Sequence, residues 1–492
     1  MSFLLIFSFI NILNFLLETF YLILFFNIIY IFFFSKNIQY IKYFLLIFFS
    51  LNFIIFCIYA FKFNYLTIYF QHPIIYLWVP IFNWYISYML DTLSLYFCLL
   101  TTLLFFLCIL FNWINIYIWN YKYFFFFFLL YILLINLFLC LDLFHFFIFF
   151  ELILIPMFWL IGFWGTRWRK IRAAFLLLFF TLIGSFLMII VLSFLYFNIG
   201  STFYFDIITY HFSYIEECFL CFCVFIFLSI KIPIMPFHIW LPEAHVEAPT
   251  TSSVLLAGIL LKIGSFGFLK YLLPLFARGC FFFSPLISLI ALCGLFFSIL
   301  AAFRQLDLKR LVAYSSISHM NLMLLGLFST TYIGSFGALL QNISHGFVSS
   351  ALFFFIGFLY DRFHTRCINY YSGLTNFMPI FSCFFLFILL ANIGLPGTSA
   401  FLSELFILCG AFLWNKFNTF LGCCSLIISS SFILWIYNRI IFTNIKKNLL
   451  YYITDLNQRE LYISLSFIIL IVLFGIKPVL LPINIIYIYY LI

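Results

Sequence analysis

The sequence predicts an all-α polytopic membrane protein of about 14 transmembrane helices, organised as two inverted five-helix repeats with broken helices 7 and 12. Three observations carry that expectation: composition, the recurrence of long apolar runs, and a one-sided distribution of basic residues. Of the 492 residues, 67% are hydrophobic and 8% charged, and the mean hydropathy is +1.25. That composition excludes an ordinary water-soluble surface, so most of the chain faces lipid or other helices.

Crossing a bilayer core takes about 20 apolar residues as helix, because no water is present there to satisfy an irregular backbone. Apolar runs of that kind fall approximately at residues 3–34, 43–61, 91–113, 124–141, 143–165, 173–197, 217–247, 251–273, 284–303, 308–328, 333–360, 377–413, 420–442 and 460–476. With basic residues at span ends counted to the adjoining loop, 16 of the 23 Lys and Arg residues fall in odd-numbered loops and 5 in even loops or the C-terminal tail; Lys231 and Lys262 lie deep inside spans. Lys270 and Arg278 are among the even-loop residues, and Lys309 and Arg366 among the odd-loop ones. One early miscount would erase that asymmetry, which places the basic loops on the matrix or cytoplasmic side and both termini opposite. The net charge of +9 is therefore a signature of topology and calls for no nucleic acid.

Two spans carry helix breakers in their middles. The seventh holds Pro233 and Pro236, and the twelfth holds Gly394, Pro396 and Gly397. Proline removes a backbone donor and glycine loosens the helix, so both spans should break there. Breaks at matching places in two halves point to inverted repeats with an ion site at the midplane.

Charges inside spans are the chemical signal. Glu151, Lys231, Lys262 and Glu404 each cost about 2.5 to 3.5 kcal/mol at a bilayer centre, and together on the order of 10 to 14 kcal/mol if unpaired and dry. Burial favours the neutral amine and a nearby carboxylate the ammonium, so such a lysine changes protonation when its partner moves. These four are the expected proton-transfer groups. The blander alternatives are a structural ion pair at Glu151 and satisfaction of unwound backbone by Glu404. His238, His319 and His345 are auxiliary relay candidates, since imidazole titrates near neutral pH; core histidines bonded to carbonyls are the alternative. His245 and Glu247 are expected to serve an interface near the span end, and His72, His145, His211 and His364 to be loop or helix-end residues.

No metal or cofactor site is expected. The 14 cysteines include Cys218, Cys221 and Cys223 in one apolar run and Cys423 and Cys424 in another, without the histidines or polar loops of a zinc or iron–sulfur site, and they read as small buried hydrophobes. No GxGxxG turn, Walker loop or nucleophile triad is present. The 81 Phe and 32 Tyr read as packing filler from a biased base composition.

The segment KIPIMPFHIWLPEAHVEAPTTSSVLLAGILLKIGSFGFLK, from Lys231 to Lys270, resembles the signature of the antiporter-like, proton-conducting membrane subunits of respiratory complex I. FELILIPMFWLIGFWG around Glu151, DLKRLVAYSSISHM from Asp307 to Met320, NISHGFVSSALFF around His345, ANIGLPGTSAFLSE ending at Glu404 and DTLSLYFCLLTT from Asp91 match as well. The resemblance is strong from about residue 90 to 440 and faint beyond.

The resemblance implies that Glu151 and Lys231 are the glutamate–lysine pair of a first half channel, Lys262 the central lysine and Glu404 the glutamate of a second half channel, with His319 and His345 on the axis between. It implies a domain plan of N-terminal spans and loop over 1–90, a conducting core over 91–440, and a C-terminal span and tail over 441–492. Within the core the half channels are expected at about 124–273 and 284–440. Glutamate at the twelfth span resembles one branch of the family, where the other branches usually place lysine. The implied partners are the other membrane-arm subunits, especially the two other antiporter-like chains, and membrane lipids. NADH, FMN, iron–sulfur clusters and ubiquinone are expected in other subunits and no cofactor in this chain. The N-terminus lacks the pattern of a signal or transit peptide, so the expected location is the mitochondrial inner membrane with synthesis inside the organelle, or alternatively a bacterial plasma membrane. Two rival readings share the charges: an Mrp-type Na⁺/H⁺ antiporter subunit, and a non-conducting structural membrane subunit.

Overall fold

The protein is described by a computed structural model covering residues 38–63, 71–79, 84–115, 120–442 and 454–478. The expected span over residues 3–34 lies outside the described residues, as do Lys36, Lys446 and Lys447. Helix dominates the rest. In chain order the elements are α1 (Ile38–Lys62), β1 (Gln71–Val79), β2 (Trp84–Leu90), α2 (Thr92–Asn115), α3 (Asn120–Leu139), α4 (Leu143–Leu152), α5 (Leu154–Trp164), α6 (Lys170–Ile199), α7 (Tyr204–Thr209), α8 (Tyr214–Lys231) and α9 (Trp240–Glu247). A rod over Thr250–Leu275, here α10, follows. Then come α11 (Ala277–Phe303), α12 (Leu308–Leu327), α13 (Tyr332–Phe363), α14 (Pro379–Ile393), α15 (Ser399–Trp414), α16 (Lys416–Ile441) and α17 (Gln458–Ile476).

Ten helices among the described residues are long and apolar enough to cross a bilayer, with α4 and α5 forming one of them. The three other expected spans in this region are the broken pairs α8/α9 and α14/α15, and the more polar α12. Local chemistry explains the boundaries. Ser213 and Glu216 form a reciprocal capping box at the start of α8, and Asn457 and Glu460 form another at α17. Pro156 has no N–H to offer Leu152, and the ladder hitches at Ile153 between α4 and α5.

The chain divides into two compact units, residues 1–160 with 188–211, and residues 161–187 with 212–492. In the first, α1, α2 and α3 pack through rings: Phe49 meets Tyr131 at 4.7 Å and Phe105 at 5.6 Å, and Phe105 meets Phe127 at 4.6 Å between centroids. The packing-filler reading of the aromatics holds there. The helical architecture is as expected, with one short hairpin added to it: β1 and β2 pair antiparallel, with Ile75 opposite Ser87 and Tyr76 opposite Ile86. His72 is therefore in a strand. The hairpin is tied down by the Leu141 amide donating to the Ser87 carbonyl at 3.0 Å. Buried Asp142 caps α4, accepting from the Phe144 amide at 3.0 Å and the Thr202 hydroxyl at 2.7 Å, with His145 at 3.3 Å.

In the second unit α10 and α13 are buried along their lengths. Two π-helical turns, Leu256–Leu260 and Phe268–Leu272, flank the segment of α10 that carries Lys262. Lys270, expected in a loop, is buried in the second of these turns with its ammonium 5.2 Å above the Phe266 ring. Lys309 and Arg366, also expected in loops, are buried as well. Cys423 is exposed rather than buried, on an outer helix face where a small hydrophobe suits lipid.

Helices α13 and α15 approach to backbone contact: a carbon added at Gly410 would lie 2.3 Å from the Gly334 Cα. Gly410→Ala should therefore cost about 1 to 3 kcal/mol through overpacking. A lowered thermal or denaturant midpoint of the purified assembly is the expected outcome, and an unchanged midpoint would show that the seam can open without penalty.

Candidate functional site

Both expected breaks occur. Helix α8 ends at Lys231, itself 4% exposed, and the backbone runs irregularly through Pro233 and Pro236 before α9 begins at Trp240. An interrupted helix leaves carbonyls without partners. Here the buried Trp240 indole N–H donates to the Ile230 carbonyl at 2.9 Å. The second break lies between α14 and α15, where Gly394 and Gly397 adopt φ of +87° and +94°. Gly394 is required twice over: its left-handed backbone ends α14, and a Cβ there would lie 2.7 Å from Glu404 Oε2. The break thus makes room for the Glu404 carboxylate.

Lys262, Glu404, His319 and His345 come together. Lys262 lies in the middle of α10, is fully buried, and donates from Nζ to the Ala257 carbonyl at 2.5 Å. Its Nζ also lies 2.8 Å from His345 Nδ1 on α13. The His345 and His319 rings are 5.6 Å apart, inclined at 46°. His319 Nδ1, on α12, is 3.4 Å from Glu404 Oε1 and 3.3 Å from Gln341 Nε2. The Ser403 hydroxyl donates to Gln341 Oε1 and lies 3.3 Å from the Ser344 hydroxyl. Four titratable groups on α10, α13, α12 and α15 therefore form one buried line, each member contacting or neighbouring the next. One hydrogen bond sets its chemistry: a charged Lys262 donates to a neutral His345, and a neutral Lys262 accepts from a protonated one. His319 Nδ1 faces a similar choice, accepting from the Gln341 amide or carrying a proton toward Glu404.

The other expected residues are placed differently. Lys231 ends α8 at the first break, in the second unit. Glu151 belongs to the first unit, half-buried near the end of α4 beside the hitch at Ile153. His238 packs its ring on Phe297 at 5.1 Å, within the first break. His211 is in a loop, and His364 caps α13 in the left-handed region.

Sequence reasoning missed Gln341, Ser344 and Ser403, although Gln341, Ser344, His345 and Ser349 recur at helical spacing along one side of α13. It also placed His245 and Glu247 at an interface, whereas they are 0% and 1% exposed.

Likeness to known proteins extends over most of the chain. Residues 140–421 match the family model described as NADH:quinone oxidoreductase/Mrp antiporter, transmembrane region. Curated relatives called NADH-ubiquinone oxidoreductase chain 4 include that of Chondrus crispus, 46% identical over 85% of each chain, and that of Marchantia polymorpha, 44% identical over 82% of this chain and 81% of the relative. A chain of respiratory complex I from Thermus thermophilus superposes with a TM-score of 0.83 at 26% identity, covering 91% of this chain and 94% of its own. A chain of the Mrp complex from Dietzia sp. shares the fold, with a TM-score of 0.83 at 17% identity over 98% of this chain and 97% of its own. With a buried line of titratable groups in its second unit and relatives of this identity, the chain belongs to the NADH:quinone oxidoreductase/Mrp antiporter family of multi-pass membrane proteins, among its chain 4 members.

Proposed function

We propose that this chain carries protons across the membrane as one pump module of an NADH:ubiquinone oxidoreductase, driven by electron transfer in other subunits. The observation that supports this best is the buried line Lys262–His345–His319–Glu404. Ionisable groups this deep are costly unless they are paired, and when they lie within exchange distance of one another the arrangement serves transfer better than scaffolding.

In this reading Glu151 and Lys231 are the acidic and basic stations of the first half channel, about residues 124–273. Lys262 is the central station, and Glu404 serves the second half channel, about residues 284–440. A proton held by Lys262 passes to His345 along their 2.8 Å contact, leaving a neutral amine. His345 relays it to His319, and His319 to the Glu404 carboxylate at 3.4 Å. Only N–H and O–H bonds are broken and made. His238, on Phe297, is a weaker relay candidate than His319 or His345.

Moving one proton against roughly 150 mV takes about 3.5 kcal/mol. Separating one member of a buried ion pair from its partner is worth about 3 to 5 kcal/mol, so rearranging a single pair suffices in magnitude. NADH, FMN, iron–sulfur clusters and ubiquinone belong in this reading to other subunits; the two other antiporter-like chains and membrane lipids are the nearest partners. The mitochondrial inner membrane, with synthesis in the organelle, is the proposed location, supported by chain 4 relatives from eukaryotes. The shared fold of the Mrp chain keeps a sodium/proton antiporter subunit as the second reading. Sodium-dependent transport without NADH oxidation would favour it.

Lys231→Met, in a fully assembled complex, should abolish most proton pumping and coupled quinone reduction, measured with a pH-sensitive dye in proteoliposomes. Normal pumping by that complex would remove Lys231 from the mechanism. Gly394→Ala should displace the Glu404 carboxylate and lower pumping while leaving Lys231 untouched; pumping equal to wild type would show that Glu404 does not depend on the second break.

A further inference from the structure

Helices α8 and α11 meet at backbone distance near the end of the bundle opposite the basic loops. A carbon added at Gly279 would lie 2.6 Å from the Cys221 Cβ and 3.0 Å from the Glu217 carbonyl oxygen. Buried Glu217 holds the start of α11 in place: its Oε1 accepts from the Arg278 amide at 2.7 Å and the Gly279 amide at 3.4 Å, and its Oε2 lies 2.8 Å from Arg278 Nε. Along this fixed seam stand two thiols from positions 59 apart, Cys221 on α8 and Cys280 on α11, with their Sγ atoms 3.6 Å from one another. The Cys280 thiol donates to the Leu272 carbonyl at 3.7 Å, which leaves its sulfur to accept from Cys221. A disulfide bond is about 2.05 Å long, so the two sulfurs are about 1.5 Å from bonding distance.

Packing asks only for small apolar residues at this seam, and cysteine supplies them. It does not explain why one of the two sulfurs can be reached. Cys221 is 0% exposed, whereas Cys280 is 5% exposed and lines a cavity of about 40 Å³ together with Ala277, Phe328, Thr330 and Ser335. One water takes roughly 10 to 15 Å³ of such space, so the cavity admits a molecule two or three waters in size. Thr330 lies in the short loop between α12 and α13, an even-numbered loop opposite the basic residues, and the hydroxyls of Thr330 and Ser335 offer hydrogen bonds there. Hydrogen peroxide suits that space in both size and polarity. Buried thiols without access are inert, and access is what this cavity supplies.

We propose that Cys221 and Cys280 form an oxidative modification site, a dithiol that a small peroxide entering beside Thr330 converts to a disulfide joining α8 to α11. Cys280, at the cavity wall, reacts first. Its sulfur attacks one peroxide oxygen, the O–O bond breaks, and the displaced hydroxide leaves as water with the Cys280 thiol proton, giving a sulfenic acid. The Cys221 sulfur then attacks the Cys280 sulfur, an S–S bond replaces the S–O bond, and the second hydroxide takes the Cys221 proton. Two electrons pass from the thiols to the peroxide, which ends as two waters. Cys221 precedes Lys231 by ten residues on α8, about 15 Å along the axis, so the bond staples the helix that leads into the first break.

Peptide mapping of the assembled complex tests the site independently of the pump reading. The complex is exposed to hydrogen peroxide, unfolded, alkylated with N-ethylmaleimide and digested. A cross-linked peptide pair holding Cys221 and Cys280, lighter by two hydrogens, should rise roughly tenfold or more over the unexposed complex and vanish with dithiothreitol. Both thiols still alkylated after exposure overturns the proposal. So does sulfinic acid at Cys280 without the cross-link, because the second thiol would then fail to resolve the first. Reagent size tests the route on the unaltered protein. Relative to their rates with free cysteine, hydrogen peroxide should form the cross-link roughly tenfold faster than tert-butyl hydroperoxide, which exceeds the cavity. Equal relative rates overturn entry beside Thr330. In Cys221→Ser the cross-link should be lost while Cys280 proceeds to sulfinic acid, and an unreacted Cys280 there overturns its place as the thiol attacked first.

Discussion

Everything in the second unit is arranged around the difficulty of keeping charge inside an apolar bundle. A lysine at the centre of α10 with every neighbour apolar would cost several kcal/mol or lose its charge. Instead Lys262 touches a carbonyl of its own helix and an imidazole of α13, and that imidazole neighbours a second that reaches a carboxylate on α15. Each group lowers the cost of the next, which is the condition for burying any of them. The same condition makes protonation at one end sensitive to protonation at the other.

The irregular backbone follows from this need. The break before α15 uses Gly394 to admit the Glu404 carboxylate, and the break after α8 leaves the Ile230 carbonyl to a tryptophan indole. Two π turns bracket Lys262. Such turns are common where a helix serves a function, because each adds a residue and re-aims the side chains after it. Glycine contacts between α13 and α15 bring the helices carrying His345 and Glu404 to backbone distance.

Much of this was legible in the sequence, because hydropathy and stranded charge are local properties. The spans, both breaks and the residues Lys262, His319, His345 and Glu404 came from runs and outliers that a window can see. What it could not see is pairing. Gln341 meets Ser403 across 62 positions, and no periodicity announces that contact. The hairpin over residues 71–90 was hidden by an aromatic-rich stretch too short for a span, so it read as loop. Lys309 and Arg366 were counted with the loops because they flank spans; burial against the end of α9 is a tertiary fact. His245 was misjudged for the same reason, since nothing nearby in sequence shows that its ring is buried against Phe353 of α13.

The central claim is that the buried line ending at Glu404 carries protons, and the number of protons translocated per NADH oxidised tests it most directly. In proteoliposomes holding the assembled complex with Glu404→Gln, the account predicts a lower ratio, or a matched collapse of pumping and coupled electron transfer. An unchanged ratio at unchanged turnover would contradict it.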